Sequence, residues 1–142
     1  MFSLLAFTLM ITFTGLGLLH LYWLGGGRRG LGLALPERQS RPLFSPSKGA
    51  TGLVALALFG FAALVGALTG RRPMPLPQGV LRPLGYALAA VFLLRAVGDF
   101  RWVGFFKRER QSRFAALDTR AYSPLCLGLA LGVLWILTHR PR

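Results

Sequence analysis

Cysteine occurs once in these 142 residues, at position 126, which excludes an internal disulfide and any CxxC redox or zinc motif. Histidine occurs twice. His20 closes the first apolar run and His139 closes the last, a membrane thickness apart on the expected topology, so a bis-histidine haem within one chain is not expected. Only four residues are acidic, and no metal-ligand spacing relates His20, Asp99, Asp118 and Cys126, so no metal is expected. Low-complexity tracts are absent, and no polar stretch is long enough to fold as a soluble domain. The N-terminal run has neither a basic n-region nor a small-residue cleavage signal, and it outlasts the apolar core of about 7–15 residues of a secretory signal. It is therefore expected to stay as a helix.

What the chain does have is apolar length. Apolar residues make up 54% of it, concentrated in four stretches: Phe2–Leu24, Pro46–Thr69, Gln78–Phe100 and Ala121–His139. A helix that crosses a bilayer needs about 20 mostly apolar residues. The first stretch carries no formal charge and is broken only by Ser3, Thr8, Thr12, Thr14 and His20. The pattern predicts an all-α polytopic membrane protein: residues 1–142 as one domain, an up-down bundle of four transmembrane helices.

Positive charge is the second abundance. Lys and Arg total 17, for a net charge of +13. In a soluble chain that balance would suggest nucleic acid. Here it serves topology and attraction to anionic lipid heads, and no nucleic-acid partner is expected. Arg28, Arg29, Arg38, Arg41 and Lys48 lie on the first connection, and Arg101, Lys107, Arg108, Arg110, Arg113 and Arg120 on the third. The other side holds Arg71, Arg72, Arg82, Arg140 and Arg142. Basic residues in short loops stay inside, so loops 1 and 3 are expected in the cytoplasm and both termini outside, in the inner membrane.

Local signals mark the helix edges. Ser45-Pro46 and Ser123-Pro124 each place a hydroxyl cap before a proline suited to the first helical position. Pro73, Pro75 and Pro77 make the second connection stiff, and Pro83 either opens or kinks the third helix. Small residues at four-residue spacing, Ala62, Gly66 and Gly70 and then Gly128 and Gly132, let backbones approach within the bundle or between two chains.

Polar chemistry gathers at one depth. His20, Tyr22 and Trp23 end the first helix, Arg95, Asp99, Phe100 and Arg101 end the third, and Asp118, Arg120, Tyr122 and Cys126 open the fourth. Arg95 lies inside the third stretch, where exposure to lipid would cost about 2.5–3.5 kcal/mol, so it is expected to be paired. Asp99, four residues on, is the nearest partner, and Asp118 is the second choice. Two readings of Arg95 stay open: an ion pair that holds the fold, and a ligand contact. His20 and Trp23 face one way, as an interfacial belt or as part of a pocket. Between residues 100 and 120, apolar positions 102, 103, 106, 114 and 117 suggest an amphipathic helix in the interface, its basic face, Lys107 included, toward head groups.

These residues also carry a family resemblance. His20-x-Tyr22-Trp23-x-Gly25-Gly26, Arg95-x-x-Gly98-Asp99-Phe100-Arg101, Gly104-Phe105-Phe106-Lys107 and Phe114-Ala115-x-x-Asp118-Thr119-x-x-Tyr122-Ser123-Pro124-Leu125-Cys126 follow in order. The set resembles the bacterial membrane family labelled domain of unknown function 3995. The resemblance implies a four-helix membrane protein and brings no activity, cofactor or catalytic residue.

The expectation for function is a small membrane protein that binds an amphipathic ligand with an anionic head, a lipid or an isoprenoid. Arg95, Arg101 and Arg120 would hold the head, with Asp118 in the same set. Trp23, Phe100 and Tyr122 would wall the pocket, and His20 with Asp99 would be the proton carriers. No nucleophile–base spacing assigns a reaction, and no cofactor is implied. Membrane lipids, a second copy or another membrane protein are the candidate partners. The alternatives are a dimeric small transporter or channel, and an accessory subunit of a larger membrane complex.

Overall fold

The computed structural model describes residues 2–38 and 41–139; Arg140 and Arg142, counted above among the outer charges, lie outside them. The elements are α1 (Phe2–Leu24), a short α2 (Leu31–Ala34), a two-residue ladder of β1 (Glu37–Arg38) and β2 (Arg41–Pro42), α3 (Lys48–Leu68), α4 (Gln78–Val97), α5 (Arg113–Leu117) and α6 (Ser123–Thr138). A π-helical turn, Asp118–Tyr122, joins α5 to α6. Four helical rods are long and apolar enough to cross a membrane, Phe2–Leu24, Lys48–Leu68, Gln78–Val97 and Arg113–Thr138. They pack as an up-down bundle. α1 packs chiefly on α3, and α4 on α6, so two hairpins form, joined by thinner contacts of α3 with α4 and α1 with α6.

The surface has the composition expected against lipid. Leu4, Ile11, Leu53, Leu56 and Leu94 are between 67% and 72% exposed, which water would penalise and acyl chains do not. Inside, α1 turns Ala6, Leu9 and Phe13 inward at helical spacing, against Leu58, Ala62 and Val65 of α3 and Leu129 and Val133 of α6. Phe13, Phe61 and Phe92 meet at the centre with ring separations of 5.5–6.0 Å. The hydroxyls of Thr8 and Thr12 return to carbonyls one turn back, Leu4 O at 2.9 Å and Thr8 O at 2.8 Å, so neither asks anything of lipid.

With no hydrophobic drive between helices in lipid, close backbone approach supplies the packing. Gly132 does so: a methyl there would stand 3.1 Å from the Leu9 side chain. So does Gly85, which the spacing argument missed, pressed by Leu137 and Leu68 at 2.9 and 3.0 Å. The other small residues differ in use. Gly66 receives the Arg72 stem, Gly70 is a left-handed residue just past the end of α3, and Gly128 touches nothing.

Several edges fall elsewhere than expected. The cap of α3 is Ser47, accepting from Ala50 N at 3.1 Å, two residues after Ser45. Pro83 lies inside α4, which already begins at Gln78. The third rod stops at Val97 rather than Phe100, because Gly98 leaves the helix at φ 90°. The fourth rod begins at Arg113, so Ser123-Pro124 is a mid-helix break and not a start. Pro124 has no N–H and its ring crowds the carbonyl four residues back. The widened turn just before it relieves this, with Ser123 N–H donating to Asp118 O.

Candidate functional site

The connection from α4 to α5 is wound in turns, so the expected helix through residues 102–106 does not form. Its backbone crosses itself: a Cβ on Gly98 would coincide with the Val103 carbonyl, and one on Gly104 with the Gly98 backbone. Both glycines sit at φ 90°. The crossing is held by Phe105 N–H to Ala96 O at 2.8 Å. Asp99 fastens the turn from within, its Oδ1 accepting from the N–H groups of Arg101, Trp102 and Val103 at 2.7–2.9 Å. Partial burial raises the Asp99 pKa, but the three N–H bonds outweigh that and hold it below the ordinary value.

Asp99 is therefore not the partner of Arg95. The chain has left the helix by then, so the four-residue rule no longer applies. Arg95 Nη2 donates instead to Asp118 Oδ1 at 2.8 Å. Asp118 is 0% exposed, and its Oδ2 accepts from Gly104 N (2.8 Å), Lys107 Nζ (3.0 Å) and Ser123 Oγ (3.2 Å). Lys107 is the functional neighbour that sequence reasoning missed. Expected on a basic outer face, it is 1% exposed. Its ammonium also donates to Gly104 O (2.9 Å) and Thr119 Oγ1 (2.7 Å), so all three donors are satisfied. The missed signal was its place three residues after Gly104, inside a turn too tight to leave it outside.

One carboxylate thus stands between two cations. Lys107 balances it and is fully bonded, which leaves the Arg95 charge in excess. The Arg95 Nη1 atom is buried and has no hydrogen-bond partner.

Arg95 borders a cavity of about 580 Å³. Its walls are His20 and Trp23 of α1, the α2 segment, Phe44, Val54 of α3 and Tyr122, and most of the lining is aliphatic or aromatic. The ring of His20 packs edge-on against Trp23 at 5.0 Å. His20 Nδ1 donates to Leu16 O at 2.8 Å, since a carbonyl can only accept. Trp23 Nε1 donates to Arg29 O at 3.0 Å. Tyr122 Oη donates to Leu33 O at 3.2 Å, tying α2 to the fourth rod. Glu37 does the same, accepting from Arg113 N at 2.9 Å.

His20, Trp23, Arg95 and Tyr122 therefore meet at one cavity, with Asp118 directly behind Arg95. Asp99, Phe100, Arg101 and Arg120 are not among the residues that line it. Phe100 is 59% exposed at φ 60° and pairs with Phe106. Arg101 lies over the Trp102 ring, and Arg120 is exposed. Among the described residues, no three His, Cys, Asp or Glu side chains come together as metal ligands.

Comparison with known proteins adds one finding. The family model described as Protein of unknown function (DUF3995) matches residues 13–133. The chain belongs to the DUF3995 family. No curated protein and no solved structure matches it. The match in this DUF3995 protein covers the second and third rods, parts of the first and fourth, and the Arg95–Asp118–Lys107 cluster, and it makes the chain a small polytopic membrane protein of a family without an assigned function.

Proposed function

We propose that this end of the bundle binds a membrane amphiphile with an anionic head, a lipid or an isoprenoid, with its chain in the apolar cavity and an oxygen at the neck of the head group on Arg95. The observation that carries this reading is the buried, unpartnered Nη1 of Arg95 beside an apolar cavity of about 580 Å³. Ligand pockets of roughly 300–1,000 Å³, mostly apolar with few polar groups, are of this kind. A buried donor without a partner costs about 1–3 kcal/mol, which an acceptor oxygen of a ligand would recover. His20 is the proton carrier that fits the cavity wall. Asp99, occupied by three backbone N–H groups, drops out of that role. Arg101 and Arg120 are left to general attraction of anionic heads.

The reading places loops 1 and 3, and so the cavity, at the cytoplasmic leaflet of the inner membrane, on the count of basic residues. Lipids are then the first partners. The plug of Phe13, Phe61 and Phe92 supports a closed-ended site over a path through one chain.

Thermal unfolding in a maltoside detergent tests the proposal. An anionic lipid should raise the Tm more than a zwitterionic lipid of equal chain length, with about 2.7 kcal/mol gained at a hundredfold excess over Kd. Arg95→Lys keeps the charge but lacks the planar fork that holds Asp118 with one nitrogen and leaves another for the ligand, so most of that gain should vanish. A full gain in Arg95→Lys would show surface attraction alone and defeat the proposal.

A further inference from the structure

A second cavity of about 380 Å³ adjoins the first. Trp23, Leu31, Leu35, Pro46 and Thr51 line both. Trp23 stands where the two meet, its indole anchored on Arg29 O. The chemistry on its two sides differs. Arg28, Ser45 and Lys48 line the second cavity, and among the described residues none of its lining is acidic. Arg28 and Lys48 are exposed, so an ion between them keeps part of its hydration. On the first side, the one unpartnered nitrogen of Arg95, Nη1, offers its two N–H groups in apolar surroundings. A phosphate has more charged oxygens than one nitrogen satisfies, and burying them unpaired is unfavourable. A carbonyl or ester oxygen, with two lone pairs, is satisfied there.

We propose that the cavity of Arg28, Ser45 and Lys48 is a phosphate subsite continuous with the Arg95 cavity, and that the ligand is therefore a phosphate-bearing lipid with an ester-linked chain. The phosphate lies between a guanidinium fork and an ammonium, a pairing suited to its several oxygens. The ester oxygen reaches Arg95 past the edge of Trp23, and the chain fills the apolar cavity. This assignment rests on the proposed binding role of the Arg95 cavity.

The test is a titration of the full chain in maltoside detergent, read as a shift in Tm. Four probes are compared: a monoacylglycerol phosphate, the monoacylglycerol of the same chain, inorganic phosphate, and no addition. The phosphate lipid should act at the lowest concentration and inorganic phosphate should have no effect. In Arg28→Gln/Lys48→Gln, the phosphate lipid should be needed at about tenfold higher concentration or more, the loss expected for one charge-assisted hydrogen bond. The response to monoacylglycerol should not change. Arg41→Gln/Arg108→Gln removes the same charge from exposed positions outside both cavities and should leave every response as in the parent.

An unchanged response to the phosphate lipid in Arg28→Gln/Lys48→Gln overturns the subsite and leaves the Arg95 proposal standing. An equal loss in Arg41→Gln/Arg108→Gln overturns it too, as unspecific charge. A full shift with inorganic phosphate overturns the lipid class. Val54→Trp, which fills the first cavity, separates the two proposals: if it leaves both lipid responses intact, the Arg95 reading fails.

Discussion

Lys107→Met removes the one ammonium that balances Asp118. The side chain is 1% exposed and makes three hydrogen bonds of 2.7–3.0 Å. Methionine replaces its stem at similar volume, so the packing loss is small. The polar loss is not. Gly104 O loses its bond from the ammonium, and Thr119 Oγ1 keeps only its own donation to Ala115 O at 3.1 Å. At about 1–3 kcal/mol for a buried group left unsatisfied, and with Arg95 still neutralising Asp118, a loss of about 2–4 kcal/mol is expected. Asp118→Leu should be worse. It leaves two cations facing each other without a counter-charge, which for a broken buried pair costs about 3–5 kcal/mol. The decisive variant is the double, Lys107→Met/Asp118→Leu. Removing both members of the pair abolishes the lone buried ammonium, so its loss should fall short of the sum of the singles by about 1–3 kcal/mol. The assay is reversible unfolding in mixed micelles followed by circular dichroism, with Arg108→Met, one residue on and exposed, as the control. Additive losses, or a Lys107→Met no weaker than Arg108→Met, would refute the buried clasp.

Gly98→Ala forces a methyl into the Val103 carbonyl and should abolish accumulation of folded protein, whereas Gly15→Ala, with open space around it, should not; expression and size exclusion in detergent distinguish them. Asp99 has a folded-state pKa held below the unfolded one. Its contribution to the turn is therefore complete above about pH 3.9 and lost only as pH falls through the folded value. The protection of amides 101–103, their exchange rate relative to the intrinsic rate at each pH, should be flat from neutral pH down to there, and Asp99→Ala should lower it throughout that range. For topology, a cysteine at Gln111 in a Cys126→Ala background should resist labelling in intact cells while one at Leu76 reacts; the reverse would place loop 3 outside.

The bundle was legible because lipid imposes a simple rule: every apolar run near 20 residues must close its backbone bonds on itself. That rule locates helices without reference to their partners, and all four rods appear. It says little about where they end. Gly98 at φ 90° cuts the third rod short of Phe100, and the fourth runs back to Arg113 through the polar side chains of Asp118, Thr119 and Arg120. Hydropathy could not see that Asp118 lies inside a helix, because the residues that make this tolerable are contributed by a turn far from periodic. That His20, Trp23, Arg95 and Tyr122 gather was legible, and they share a cavity. Pairing was not, since it depends on the path of residues 98–112, where glycines rather than periodicity decide which side chain turns in.

The four acids make the same point from the other direction. Glu37, Asp99 and Glu109 lie on the connections at one end of the bundle and Asp118 in the π-helical turn of the fourth rod, and each accepts a backbone N–H: from Arg113, from residues 101–103, from Gln111 and from Gly104. Against 17 basic residues, the acids serve first to fasten loops, and one of them also pairs charge. Among the described residues, only Asp118 has side-chain cations within salt-bridge reach, and it has two. The remaining positive charge at this end has no protein counter-charge among the described residues. In a bilayer, anionic head groups are the nearest source of one. Arg95, held in the clasp by one nitrogen and unpartnered at the other beside an apolar cavity, is where that general attraction would become a specific contact.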